Sequence, residues 1–212
     1  MCYMVQFTGM INVSAVQIPY DKLLARLGFL KAKTQMDEKT ERLIKENLNL
    51  VQKLIKPKAV IAFDNITVNG GIAAFENGFE IKSADMAKLL DGCFKAYGIA
   101  VTIGDAAEKR RDDYISKKET FNALIFDAAG SVAAEETIAS AYKQIEDFEK
   151  TNENSLTKRF SPGYGDWALE AQGGLLNWLG AAQIGIALTE SFLMKPEKSV
   201  SAVIGVKTAN NK

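Results

Sequence analysis

The 212-residue chain contains no histidine. That absence removes Ser-His-Asp and Cys-His catalysis, histidine-ligated zinc and histidine proton shuttling. Cysteine is nearly as scarce: Cys2 and Cys93 stand far apart without a C-x-x-C spacing, the usage of a reduced, cytoplasmic chain. Cys93 reads as core packing rather than as a reactive thiol. There is no excess of either charge, since Lys plus Arg and Asp plus Glu number 26 each, so no net field attracts nucleic acid or an anionic membrane. No long hydrophobic run is present; the most apolar stretch, Gly173 to Leu188, is broken by Asn177 and Gln183. The opening residues lack the basic start and apolar core of a signal peptide. No G-x-G-x-x-G follows a strand pattern, and no G-x-x-x-x-G-K-[ST] occurs. A soluble, cytoplasmic protein without nucleic-acid or membrane partners is expected.

What is present is a chain 47% apolar, enough to bury a core in one domain spanning residues 1–212. A helical part is predicted over about 18–56, with Leu43, Ile44, Leu48, Val51, Leu54 and Ile55 as the inner stripe of its longer helix. Ala59–Phe63 and Ile66–Val68 read as two strands. With turn signals at Asn69-Gly70-Gly71 and Asn77-Gly78, residues 59–82 form a meander. Ser83 caps the next helix, whose inner face carries Met86, Leu89, Leu90, Cys93 and Phe94. Ile99–Ile103 reads as strand, followed by a charged helix to about Lys118. Ala123–Phe126 reads as a buried strand that enters a helix capped by Ser131 and running to Phe148. Lys150 to Ser155 reads as a linker, Leu175 to Leu179 as a short helix, and Ile184–Leu188 and Ser199–Val206 as strands. Strands in meanders and helices in blocks define an α+β class: a mainly antiparallel twisted sheet with flanking helices.

Chemistry concentrates in Arg159-Phe160-Ser161-Pro162-Gly163-Tyr164-Gly165-Asp166-Trp167. Glycines and charges add no packing, so the stretch suits either an ordinary surface turn or a loop whose backbone approaches a ligand. In the second case Arg159 offers a planar fork to a carboxylate or phosphate. Glu135 and Glu136 fall in the first turns of the helix predicted from Ser131, where the helix dipole alone accounts for them.

With the segments Ile184-Gly-Ile-Ala-Leu-Thr-Glu-Ser-Phe-Leu-Met194 and Lys198-Ser-Val-Ser201, this loop resembles the activation (reactivation) domain of cobalamin-dependent methionine synthase. That family carries R-x-x-P-G-Y, then I-G-x-x-L-T-x-S-F-x-M-x-P, then an S-V-S strand. The opening IPYDKLLARLG and the DAAGSVAAEE segment are similar to free-standing short forms of the domain. Gly165-Asp166-Trp167 departs from the family's proline- and cysteine-rich continuation. The resemblance implies a module that binds S-adenosylmethionine and presents its methyl group to cobalamin held by a partner. That partner is a methionine synthase or another corrinoid protein, and a flavodoxin- or ferredoxin-like protein donates the electron. Neither a metal site nor catalysis by this chain alone is implied. By the same resemblance Arg159 holds the ligand's carboxylate, Pro162 and Gly163 shape the loop and Tyr164 packs beside the ligand. Glu135, Asp166 and Trp167 are the groups for its cationic centres. Two alternatives stand beside this reading: a docking subunit for a corrinoid protein without ligand binding, and an independent enzyme using carboxylates, lysine or tyrosine.

Overall fold

The computed structural model describes residues 7–13, 16–29 and 36–209, so Cys2 lies outside the described part. In chain order the first half consists of β1 (Phe7–Ile11), α1 (Tyr20–Arg26), α2 (Glu38–Leu54), β2 (Lys58–Asn69), β3 (Ile72–Phe75), β4 (Glu80–Lys82), α3 (Ala84–Leu90) and β5 (Lys95–Thr102). The second half consists of α4 (Ala106–Ser116), α5 (Thr120–Thr151), β6 (Asn154–Leu156), α6 (Ala171–Leu179), β7 (Ala187–Leu188), β8 (Met194–Lys195) and β9 (Ser199–Thr208). Seven strands make one sheet in the order β4-β3-β2-β5-β9-β6, with β1 on β2 as well. Every pairing is antiparallel. The fold is the α+β class expected from the sequence.

Both faces of the central strands are covered, which is why β5 is buried along almost its whole length rather than alternating. Tyr97, Ile99 and Val101 face α5 together with Ala202 and Ile204 of β9 and Ile138, Ala141 and Ile145 of the helix. Ala96, Ala100 and Val203 face the other way, onto Met86 and Leu90 of α3 and Leu175, Leu176 and Leu179 of α6. Gly98 makes room on that side, because a Cβ there would stand 2.5 Å from the Trp178 ring. The helices α1, α2 and α4 pack on the first half of α5, around Leu23, Ile44, Val51 and Phe126.

Several boundaries differ from the expectations. Ala123–Phe126 is no strand: α5 runs unbroken from Thr120 to Thr151. A four-residue apolar run cannot distinguish strand from buried helix, and the alanines that follow are the strongest helix formers. Ser131 therefore sits in mid-helix, its hydroxyl donating to the Asp127 carbonyl one turn back at 3.0 Å, and caps nothing. Gly130 is tolerated there because a Cβ would crowd the Lys198 stem at 3.2 Å. The dipole reading of Glu135 and Glu136 falls with the displaced helix start.

The two strands expected in 59–68 are the single β2, which changes partner along its length, from β1 over 59–63 to β3 over 66–69. Asp64 at the junction stays buried because its carboxylate accepts from the Asn65 and Asn77 amides at 2.9 and 2.8 Å. The expected linker at 150–155 is the end of α5 and the start of β6. Ile184 ends a short 3-10 turn, and only Ala187–Leu188 pair as strand, with β8. Phe94, expected on an inner face, is exposed, as is Phe148 near the end of α5.

A second buried carboxylate lies near the end of α5. Glu149 of α5 is 1% exposed, and its Oε1 accepts from Lys95 Nζ at 2.6 Å and Tyr97 Oη at 2.5 Å. Asn154 Nδ2 donates to Oε2 at 2.7 Å, which joins the end of α5 to β5 and β6. Burial pushes the Glu149 pKa up, but the hydrogen bonds from Lys95, Tyr97 and Asn154 outweigh it and hold the carboxyl below its ordinary value. Burial and the neighbouring carboxylate raise the Tyr97 phenol, so it remains a donor.

Candidate functional site

Beyond Leu156 the chain leaves β6 and touches the edge of β9 again at Phe160, which exchanges backbone hydrogen bonds with Val203 at 3.1 and 2.8 Å. Ser199 and Ser201 share Val203's orientation along the strand, so their backbone N–H and C=O groups turn to this same outer edge. Past Phe160 that edge has no strand partner among the described residues. A cavity of about 440 Å³ borders it. Its walls come from α5 (Glu135), the loop (Arg159, Phe160, Ser161, Pro162, Tyr164 and Leu169), the first turn of α6 (Gln172), the β7–β8 hairpin (Phe192, Leu193 and Met194) and the edge itself (Ser199, Val200 and Ser201).

Arg159 and Glu135 form the charged mouth. The Arg159 Nη2–Glu135 Oε2 distance is 3.1 Å, with the two side chains 33% and 53% exposed. An ion pair this open contributes about 0–1 kcal/mol to stability, so it does little to hold the fold. The pair is also complementary to an α-amino acid: a guanidinium fork for the carboxylate and a carboxylate for the ammonium. Glu135 is held in register with the strand edge by the two helical turns before it. Lys198 Nζ reaches Ser131 Oγ at 2.9 Å and Asp127 Oδ1 at 2.7 Å, one and two turns N-terminal to Glu135. Arg111 joins Asp127 at 3.2 Å and Glu197 at 2.8 Å, and holds the Glu197 carboxyl down to about 2. This network fixes the start of β9 against α5.

The floor is neutral. Gln172 is 3% exposed, and its Nε2 donates to Ser201 Oγ at 2.7 Å and faces Met194 Sδ at 3.4 Å. On the hairpin side Phe192 takes φ 61°, a left-handed conformation that costs an aromatic residue energy. The turn compensates with Thr189, whose N–H donates to the Leu193 carbonyl at 2.9 Å and whose hydroxyl accepts from Leu193 N at 3.1 Å.

Of the seven residues singled out in the sequence, Arg159, Glu135, Pro162 and Tyr164 line this cavity, Tyr164 as a 68% exposed rim. Gly163 is not a lining residue; it takes φ 88° to turn the loop, and its N–H donates to the Trp167 carbonyl at 2.7 Å. Asp166 and Trp167 have structural employment elsewhere. The Asp166 carboxylate accepts from the Ala84 and Asp85 amides at 2.7 and 3.2 Å and from the Ser83 hydroxyl, anchoring the loop to the start of α3. Those donors, Ser83 first, hold its carboxyl below the ordinary value. Trp167 is 1% exposed in the core beside Phe160, so its ring offers no face to a ligand.

Gln172 was not foreseen as a site residue. The available signal was its position at the head of the α6 stripe 172, 175, 176 and 179, where a polar residue replaces an apolar one. Phe192 and Leu193 were visible only as part of a motif.

An antiparallel sheet whose free edge borders a cavity with an acid–base pair at its mouth defines an α+β domain with a candidate small-ligand site. Its fold is similar to a solved structure described as the MetH reactivation domain bound to AdoHcy. The TM-score is 0.69 at 16% identity, over 99% of this chain and 80% of that one. No curated protein matches the chain by sequence. Residues 77–211 match the family model for the vitamin B12 dependent methionine synthase activation domain, and the chain belongs to that family. Among the described residues no helix is long and apolar enough to cross a membrane, and no cluster of Cys, Asp and Glu could hold a metal ion.

Proposed function

We propose that this chain binds S-adenosylmethionine in the cavity at the β9 edge and presents it to a cobalamin held by a partner protein. The observation that carries the proposal is the Arg159–Glu135 pair at the mouth of a cavity of small-ligand size. Two charges that face each other there match the carboxylate and the ammonium of the ligand's amino-acid end, and ligand binding exchanges one weak ion pair for two charge-assisted contacts. Family membership points to the same ligand class, since the similar solved domain is bound to AdoHcy, the demethylated form of S-adenosylmethionine. The ligand supplies a methyl group. This chain's own residues bind and orient it: Arg159 and Glu135 hold one end, Pro162 and Gly163 set the loop, and Tyr164 packs at the rim. The cobalamin belongs to a methionine synthase or another corrinoid protein, the electron to a flavodoxin- or ferredoxin-like donor, and the compartment is the cytoplasm.

Thermal unfolding of the wild type with and without S-adenosylmethionine tests the reading. A ligand at 100 times its Kd stabilises by about 2.7 kcal/mol, which raises Tm by roughly 5–10 °C in a chain of this size. An unchanged Tm at millimolar ligand sinks the proposal.

A further inference from the structure

The floor of the cavity holds an acceptor that the protein does not use. Gln172 lines the cavity, is 3% exposed and commits its amide nitrogen to Ser201 Oγ and Met194 Sδ. The thioether fixes which way the amide faces, because sulfur only accepts; with the oxygen turned toward Met194 the two lone-pair atoms would repel. Oε1 receives no hydrogen bond from the described residues. Nor is it sealed from the cavity, since the one sealed, unpartnered side-chain polar atom in the described residues is Tyr20 Oη. A nine-tenths-buried amide thus presents a fixed, acceptor-only atom to a space flanked by Leu169, Phe192 and Met194.

We infer that Gln172 Oε1 reads the exocyclic 6-amino group of the ligand's purine ring and so selects adenine. The inference rests on the S-adenosylmethionine reading above and adds the determinant of base specificity. The charged mouth takes the amino-acid end, which leaves the neutral floor for the base. A flat ring fits between the apolar walls, where Met194 sulfur and the Phe192 ring favour an aromatic partner. A single N–H donor matches an acceptor-only amide oxygen, whereas a ribose diol brings acceptors as well as donors. Without such a donor, Oε1 is desolvated by the base and left unpaired, the costly case for a buried polar group.

The test is calorimetric titration of the wild-type protein with AdoHcy and with its analogue bearing hydrogen in place of the 6-amino group. AdoHcy is expected to bind ~10-fold more tightly than the analogue. In Gln172→Leu the AdoHcy affinity falls by a similar factor, and the two ligands then bind within ~2-fold of each other. Equal binding of both ligands by the wild type overturns the inference, as does full discrimination by the variant. If Gln172→Leu fails to fold, the wild-type pair of titrations alone decides. AdoHcy binding that depends on Arg159 yet ignores the 6-amino group leaves the S-adenosylmethionine reading standing and removes this one; absence of binding by either ligand removes both.

Discussion

Replacing Arg159 with alanine is expected to weaken AdoHcy binding by about 2–3 kcal/mol, roughly 30- to 150-fold, while leaving the ligand-free protein's melting temperature within about 2 °C of wild type. The asymmetry follows from geometry. In the free protein the Arg159 guanidinium has one ion-pair partner among the described residues, an exposed Glu135 at 3.1 Å, and such a pair is worth little. In the complex the same guanidinium meets a carboxylate as a fork, and truncation leaves that carboxylate facing Glu135 with no cation between them. Arg159→Lys should fall between the two, because an ammonium keeps the charge but not the planar pair of donors. Equal loss of affinity and of ligand-free stability would instead assign Arg159 a structural role. Titration calorimetry beside thermal unfolding of the three proteins separates the cases.

The largest expected effect on stability lies far from the cavity. Lys95→Met leaves Glu149 charged, 1% exposed and, among the described residues, served only by Tyr97 and Asn154. Breaking a buried pair in this way costs about 3–5 kcal/mol, read as a drop in the urea midpoint. Adding Glu149→Gln removes the uncompensated charge and should restore most of the loss. The acid dependence supplies a second signature. In the wild type the folded-state carboxyl of Glu149 titrates below its unfolded value, so its contribution is complete above the ordinary carboxylate range. That contribution is lost as pH falls through the lowered folded value. Without Lys95, burial, the largest single influence on this carboxyl, is expected to carry the folded value above the unfolded one. The variant should then gain stability from this group as pH falls from about 7 to 4. Parallel wild-type and variant profiles over that range contradict the account of the buried pair.

Legibility in the sequence tracked how local the determining interaction is. The meander could be read because Gly70, Gly71 and Gly78 all take positive φ at its turns, a requirement carried by the residue itself. Ser83 as a helix cap is equally local: its hydroxyl accepts from the Met86 amide at 3.0 Å, three residues on. The amphipathic α2 and the helix stop at Gly180, φ 60°, follow the same logic. α5 was misread where its residues are explained only by the rest of the molecule. Gly130 and Ser131 look like a strand-to-helix turn until Lys198, from the far end of the chain, is seen lying across them. The site divides similarly. Arg159, Pro162 and Tyr164 announce themselves within a short loop, and family resemblance added Glu135. Asp166 and Trp167 share that loop but serve α3 and the core, contacts with partners more than 80 residues distant in the case of Asp166. Gln172 gave the weakest signal, because a lone polar residue on a helix stripe acquires meaning only when Ser201 and Met194 close around it.

A crystal structure of the protein soaked or grown with AdoHcy tests the central claim most directly. The predicted result is ligand density along the β9 edge, with the amino-acid carboxylate within hydrogen-bonding distance of the Arg159 guanidinium, the ammonium at Glu135 and the base over Gln172. Density elsewhere on the molecule, or a cavity that stays empty at saturating ligand, contradicts it.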